Sequence, residues 1–246
     1  MPLSRKPFAL GAAVAAAAVL LGVVSYTAAA PDPTAPTAPT AGGSVAGASA
    51  DPQADMYREL AELARRDPAD PLAVGRADAP VVLIEYADFA CGYCGKFARD
   101  TAPALVEKYV DSGTLRIEWR NLPIFGAESE AAARAAWAAG RQGRFWQFHA
   151  AAYAEGAKEK GFGAQRLKEL AEEAGVKDLN RFARDAESGA ARRAVAQDQQ
   201  EAYGLGATST PSFLVNGRPI AGAQPRETFE QAIAVEAAGA GKGAAR

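Results

Sequence analysis

Val81 to Phe97 reads VVLIEYADFACGYCGKF, and this stretch decides the fold. Val81 to Tyr86 is a short, nearly continuous apolar run rich in β-branched residues, which predicts a buried strand. Ala87 to Ala90 is a short turn. Cys91 then stands at the amino end of a helical pattern that runs through Phe97, Leu105, Val106 and Tyr109 to Val110. Unpaired backbone N–H groups and the helix dipole at such a position favour a thiolate. Cys94 follows one helical turn later, close enough to close a small disulfide ring. The pattern suits reversible thiol–disulfide exchange: a substrate thiolate attacks the Cys91 sulfur, a mixed disulfide forms, and Cys94 leaves and later returns. A purely structural bridge is a poor account, because a two-residue spacer restricts the unfolded chain little.

Cys91 and Cys94 are the only cysteines in 246 residues, and His149 is the only histidine. A disulfide-rich scaffold, a structural zinc site and an iron–sulfur cluster are thereby excluded, and no metal or other cofactor is expected. A cysteine–histidine hydrolase would require His149 to approach Cys91. His149 lies in an apolar helical stretch beside Trp146 and Phe148 and reads as a satisfied core or capping histidine. Phe125, Trp137, Phe145 and Trp146 read as packing between subdomains. The formal net charge is −2, and without a basic excess no nucleic-acid partner is expected.

Downstream, Leu115 to Trp119 alternates as a second strand. From Gly126 to about Gly204 the chain turns alanine- and charge-rich. Helices are predicted at 128–139, 145–154, 164–174, 179–187 and 190–203, punctuated by glycines. Pro211 to Val215 reads as a strand, Asn216-Gly217 as a two-residue hairpin turn, and Pro219 to Ala221 as the returning strand. A last helix is predicted over 225–237, then a disordered tail, 239–246. The order is an α/β domain with a helical subdomain inserted at about 126–204. Upstream, 55–66 reads as a short amphipathic helix through Met56, Leu60 and Leu63, and 67–80 as a loop. Residues 31–54 read as a flexible Pro/Ala/Thr/Gly linker. Arg5 and Lys6 precede a 17-residue apolar run, Phe8 to Val24, so residues 1–30 read as a signal peptide or a signal anchor that places the rest outside the cytoplasm.

With these motifs assembled, the sequence resembles the DsbA-like branch of the thioredoxin superfamily. The resemblance rests on Val81 to Phe97, on TSTPSFLVNG (Thr208 to Gly217), and on RNLPIFG (Arg120 to Gly126) with FWQFHAAAY (Phe145 to Tyr153) in the helical block. It covers roughly residues 70 to 238 and implies a thioredoxin-like α/β fold with a helical insertion, within a domain spanning 55–238. It implies that Cys91 is the nucleophile, Cys94 the resolving thiol, and Pro211 a cis-proline facing them; an ordinary trans proline opening a strand is the alternative. Thr210 is then the residue whose backbone pairs with an extended substrate, and Gly92 and Tyr93 border the substrate site. Glu85 is similar in position to a buried acidic residue of the superfamily and would accept the Cys94 proton; the alternative is an edge-strand glutamate facing solvent. Relatives often carry histidine where this chain has Tyr93.

The resemblance leaves two redox directions open. An oxidase would pass its disulfide to exported proteins and be reoxidised by a quinone-linked membrane partner, DsbB-like or VKOR-like. The Gly-Tyr dipeptide with Thr210 resembles the DsbC isomerase pattern instead, but no folded amino-terminal dimerisation domain is legible. The expectation is therefore a monomeric, periplasmic or cell-envelope oxidase acting on reduced or misoxidised exported proteins. A redox-inert binding module for exported chains is the reading from another class.

Overall fold

The computed structural model describes residues 51–244. The expected signal or anchor segment, the linker up to Ala50 and the two last residues lie outside them. Among the described residues no helix is long and apolar enough to cross a membrane.

The order is α1 (Pro52–Ala61), β1 (Ala73–Val74), β2 (Val81–Ala87), α2 (Gly92–Lys96), α3 (Ala102–Leu105), β3 (Leu115–Asn121), helices α4 to α8, the hairpin β4 (Ser212–Val215) and β5 (Arg218–Ala221), and α9 (Arg226–Ala244). The five strands form one mixed sheet in the order β1-β3-β2-β4-β5. The β2–β3 pair is parallel and the other three are antiparallel. The strand–helix–strand–helical block–hairpin–helix order expected from the sequence is the order found.

β2 is central and buried along its whole length, which is why its sequence is continuous rather than alternating. Val81 and Leu83 face a core shared with Phe97, Leu105, Phe213 and Phe229. Val82, Ile84 and Tyr86 face the opposite side with Leu122, Ala202 and Leu214. α2 and α3 form one continuous helical run with two π-helical turns, Phe97–Thr101 and Val106–Val110. Pro103, with no N–H to donate, sits in the first turn of α3, and the widened turn directly precedes it.

The insertion consists of α4 (Ala127–Gly140), α5 (Phe145–Ala152), α6 (Ala164–Glu173), α7 (Leu179–Ala186) and α8 (Gly189–Gly204). Alanines at 132, 133, 135, 136, 138 and 139 are all buried, and their small side chains let neighbouring helices approach α4 closely. This core is continuous with the end of β2 and with both cysteines.

Several boundaries differ from the sequence reading. α1 begins at Pro52, inside the expected linker, because Asp51 caps it by accepting the Gln53 N–H; it ends at Ala61 rather than Arg66, and Met56 is exposed. Residues 67–80 are not all loop: Ala73–Val74 adds an edge strand to β3, too short to leave a pattern. α9 continues through Gly239 to Ala244 where a disordered tail was expected, since alanine carries the helix across its glycines. The Asn216-Gly217 turn is as expected, with φ of 43° and 83°. A side chain at Gly217 would also strike the Tyr57 carbonyl of α1, at 1.9 Å.

Candidate active site

The end of β2 delivers the site. Asp88, directly after the strand, turns the chain: its Oδ1 accepts the Ala90 N–H at 2.8 Å and its carbonyl accepts the Cys91 N–H at 3.0 Å. Cys91 then caps α2, with its sulfur accepting the Cys94 N–H at 3.4 Å. The Cys91 thiol also reaches the Thr210 carbonyl at 3.2 Å. The Thr210–Pro211 peptide bond is cis, as the resemblance implies, and Pro211 is buried just before β4. Cys91, Cys94, Thr210 and Pro211, widely separated in sequence, thus meet at one place.

The two sulfurs sit in different environments. Both are free thiols here. Cys94 is 0% exposed and Cys91 only 4%, so the Cys91 thiol meets solvent through a narrow window onto a groove. The hydrogen bond from the Cys94 thiol, then Thr210 and the backbone N–H groups of Cys94 and Tyr93, bring Cys91 down to about 6 against the opposing effect of burial. Burial, the hydrogen bond to Cys91 and its negative charge drive Cys94 far above the ordinary thiol range. No histidine is needed for the asymmetry.

Glu85 lies in the middle of β2 between Trp119 of β3 and Phe213 of β4. It is 2% exposed, so the solvent-facing alternative is excluded. Its Oε1 has no hydrogen-bond partner. The Trp119 indole donates to Asn121 rather than to it. Burial first, and the Cys91 charge second, push this carboxyl up to about 8.

Tyr93 and Phe125 are exposed large side chains, at 69% and 59%. Both line the groove of about 840 Å³ that opens over Cys91, together with Gly92 and Thr210. The packing role expected of Phe125 is therefore wrong, whereas Phe145 is core and Trp137 and Trp146 are partly buried against it. Asp88 explains the position of Phe125: its Oδ2 accepts the N–H groups of Ile124 at 2.6 Å and Phe125 at 3.2 Å, tying the loop after β3 to the turn before Cys91. Tyr153 supports the same turn, donating its hydroxyl to the Asp88 carbonyl at 2.8 Å and stacking on Phe89. The sequence reading assigned no role to Asp88 or Tyr153; an Asp opening a turn after a buried strand was the available signal. His149 is core, ringed by Phe89, Trp119, Phe145, Trp146 and Tyr153. It is not satisfied, because Nε2 lacks a partner, and burial takes its pKa down to about 3. It is not among the hydrogen-bond partners of Cys91.

Comparison with known proteins agrees with this fold. Residues 66–234 match the family model described as Thioredoxin. The chain is 31% identical over 150 residues to a probable disulfide bond formation protein D of Bacillus cereus, covering 59% of this chain and 69% of that one. It is 34% identical over 161 residues to a Na(+)/H(+) antiporter, NhaA 3, of Salinispora tropica, covering 65% of this chain but 24% of the antiporter. The chain thus spans about a quarter of the length of the antiporters it matches. A solved thioredoxin-like oxidoreductase from Silicibacter pomeroyi superposes with a TM-score of 0.60 at 30% identity, covering 68% of this chain and 91% of that one. With a thioredoxin fold, a Cys-Gly-Tyr-Cys helix start facing a cis-proline, and these relatives, the chain belongs to the thioredoxin family.

Proposed function

We propose that the protein is an exported thiol–disulfide oxidoreductase that oxidises thiols of extracytoplasmic proteins. The observation that carries this reading is the pairing of an acidic Cys91 at the groove with a buried, strongly basic Cys94 above an unpartnered Glu85. In the oxidised enzyme the two sulfurs are bonded. A substrate thiolate attacks Cys91 Sγ, the Cys91–Cys94 bond breaks, and Cys94 leaves as a thiolate. Glu85, protonated because of its burial, supplies the proton that this thiolate needs and regains one from solvent. A second substrate thiolate attacks the substrate sulfur of the mixed disulfide. The substrate disulfide closes and Cys91 departs as a stable thiolate. Two electrons have passed to the cysteine pair. Reoxidation requires an acceptor, and the branch resemblance points to a quinone-linked membrane partner, DsbB-like or VKOR-like.

A thiolate stabilised in the reduced form makes the disulfide a stronger oxidant, which favours the oxidase direction. The Gly92-Tyr93 dipeptide with Thr210 favours an isomerase or reductase instead. The reduction potential of the Cys91–Cys94 couple decides between them: a value near that of thioredoxin ends the oxidase reading, and recovery of scrambled oxidised protein supports the isomerase. Iodoacetamide should alkylate Cys91 with a midpoint near pH 6 and leave Cys94 unmodified in the folded protein. A Cys91→Ala variant should lose oxidation of a reduced test protein; full retention would leave only the redox-inert binding module. The charged start and apolar run of the sequence support export to the periplasm or cell envelope, anchored or secreted. A monomer of the full chain is expected by light scattering.

A further inference from the structure

We infer that the groove over Cys91 selects extended peptide thiols flanked by acidic residues, reading them through Arg99 and Lys158. This rests on the redox reading above and adds the substrate class to it.

Three cations and one carboxylate line the groove: Lys96, Arg99, Lys158 and Asp100. Asp100 is engaged by Lys96 at 2.6 Å, one helical turn away. That leaves Arg99 and Lys158, neither of which makes an ion pair among the described residues. Glu155 and Glu159 line a smaller adjoining cleft that Cys91, Gly92, Arg99 and Lys158 also line, but among the described residues neither forms an ion pair with those cations. Arg99 is held in place: its Nη1 donates to the Tyr153 carbonyl at 2.7 Å, and it lies against Gly95, where an added Cβ would come within 2.9 Å of that nitrogen. The guanidinium keeps its charge while losing freedom, so little ordering remains to oppose binding. Lys158 comes from a separate element, the short 3-10 turn Lys158–Lys160 of the insertion. It lines the groove with Cys91, and its Nζ stands 3.5 Å from where a Cβ on Gly92 would lie.

The remaining lining is apolar or neutral. Tyr93 and Phe125 offer exposed aromatic faces, and Thr210 its backbone. A substrate cysteine seated on Cys91 in an extended strand therefore has aromatic surface and two cations without a direct ion pair along the groove that receives it. Charge complementarity favours Asp or Glu there and disfavours Lys or Arg, acting mainly on the encounter rate.

The test uses the oxidised full chain and three reduced two-cysteine peptides, identical except for Glu, Lys or Ser flanking one cysteine. Second-order oxidation rates are measured at about 20 mM and at about 500 mM salt. The Glu peptide should outrun the Lys peptide by about tenfold at low salt, with the ratio collapsing towards one at high salt. Lys158→Glu should invert the preference, and Arg99→Gln should reduce it; within each variant, rates are normalised to the Ser peptide, which cancels any general change in reactivity. A Glu/Lys ratio near one at low salt, or one untouched by Lys158→Glu, overturns the inference while oxidation of the Ser peptide keeps the redox reading. A fourth peptide flanked by Leu that outruns the Glu peptide would also overturn it, assigning selectivity to Tyr93 and Phe125. If the Ser peptide is not oxidised, the redox reading itself falls and the selectivity with it.

Discussion

Glu85 and Glu118 occupy adjacent strands of the same sheet, both buried, and have opposite fates. In the parallel register Glu85 lies beside Trp119 and Glu118 beside Ile84, so the two carboxyls point to opposite faces. Glu118 accepts from Arg116 at 2.8 Å, from Arg120 at 3.0 Å and from the backbone N–H groups of Arg65 and Arg66 at 2.9 and 2.8 Å. Burial opposes its charge, but the Arg116 hydrogen bond, the two backbone donors and the Arg120 charge hold it down at about 2. Glu85 has burial without those donors and stands at about 8. Sequence neighbourhood separates the two in part, since Arg116 and Arg120 stand two residues either side of Glu118 and Leu83 and Ala87 either side of Glu85. The rest of the separation is the donor set that folding gathers. One face of the sheet uses its buried acid to hold the molecule together. The other keeps its acid unsatisfied beneath the cysteines, where a proton can be held and released near neutral pH.

The largest effect should come from Glu118→Gln. The amide preserves shape but leaves the guanidinium groups of Arg116 and Arg120 buried with one compensating charge removed. Breaking such a pair from one side costs about 3–5 kcal/mol. Urea unfolding at pH 7 should show the midpoint falling with the slope unchanged. The pH dependence follows from a folded pKa near 2 against an unfolded value near the usual glutamate range. The stabilisation from Glu118 is complete above about pH 4.3 and is lost as pH falls through 2. The gap between parent and variant should therefore narrow in acid. A gap that stays constant from pH 7 to pH 3 would show that the loss is steric and not electrostatic.

Glu85→Gln should act in the opposite direction. A carboxyl raised to about 8 binds a proton in the folded state that the unfolded chain has already released above about pH 4.3. Its favourable contribution is thus full below pH 4.3 and is lost progressively as pH rises through 8. The reduced Gln variant should be more stable than the parent at pH 8, by up to about 4 kcal/mol, with little difference at pH 4.5. The buried amide also lacks partners, so the gain should fall below that limit. The same variant should resolve mixed disulfides more slowly at neutral pH, because Cys94 loses its neighbouring proton carrier. A Glu85→Gln chain less stable than the parent at pH 8 would break the contrast, since it would mean that Glu85 is charged and paired.

The active-site half of this contrast was more legible in the sequence than the structural half. The buried strand, the helix start, the cysteine spacing and the Asn216-Gly217 turn are local signals, each written in a few consecutive residues, and all appear where expected. Glu85 was a candidate through the resemblance, which places a buried acidic residue at a similar position on the strand before Cys91. Arg116, Glu118 and Arg120 alternate with apolar residues, a pattern that ordinarily marks a solvated face, yet all three are buried. Their distant partners, Arg65 for Glu118 and Glu201 for Arg120, lie 53 and 81 positions away, and no short-range pattern announces them. Phe125 was misread for the same reason. Its exposure depends on Asp88 holding the loop from the far side of the turn. Helix ends shifted by a residue or several because caps such as Asp51 act through side-chain geometry rather than composition.

The smallest effect should be at the rim of the paired face, with Tyr86→Phe. The Tyr86 hydroxyl donates to Glu201 Oε1 at 2.7 Å, and the same oxygen accepts from Arg120 Nε at 3.1 Å. Removing the hydroxyl leaves an acceptor that keeps its guanidinium donor and is partly open to water, so no buried group is orphaned. The cost should be about 1 kcal/mol, the net worth of one hydrogen bond. A double-mutant cycle with Glu201→Gln measures whether that bond is separable from the network, and a coupling below about 1 kcal/mol is expected. A loss from Tyr86→Phe approaching that of Glu118→Gln would mean that the ion network is cooperative out to its rim. The stability of that face would then reside in the connected set, with Glu118 as one member of it and not its centre.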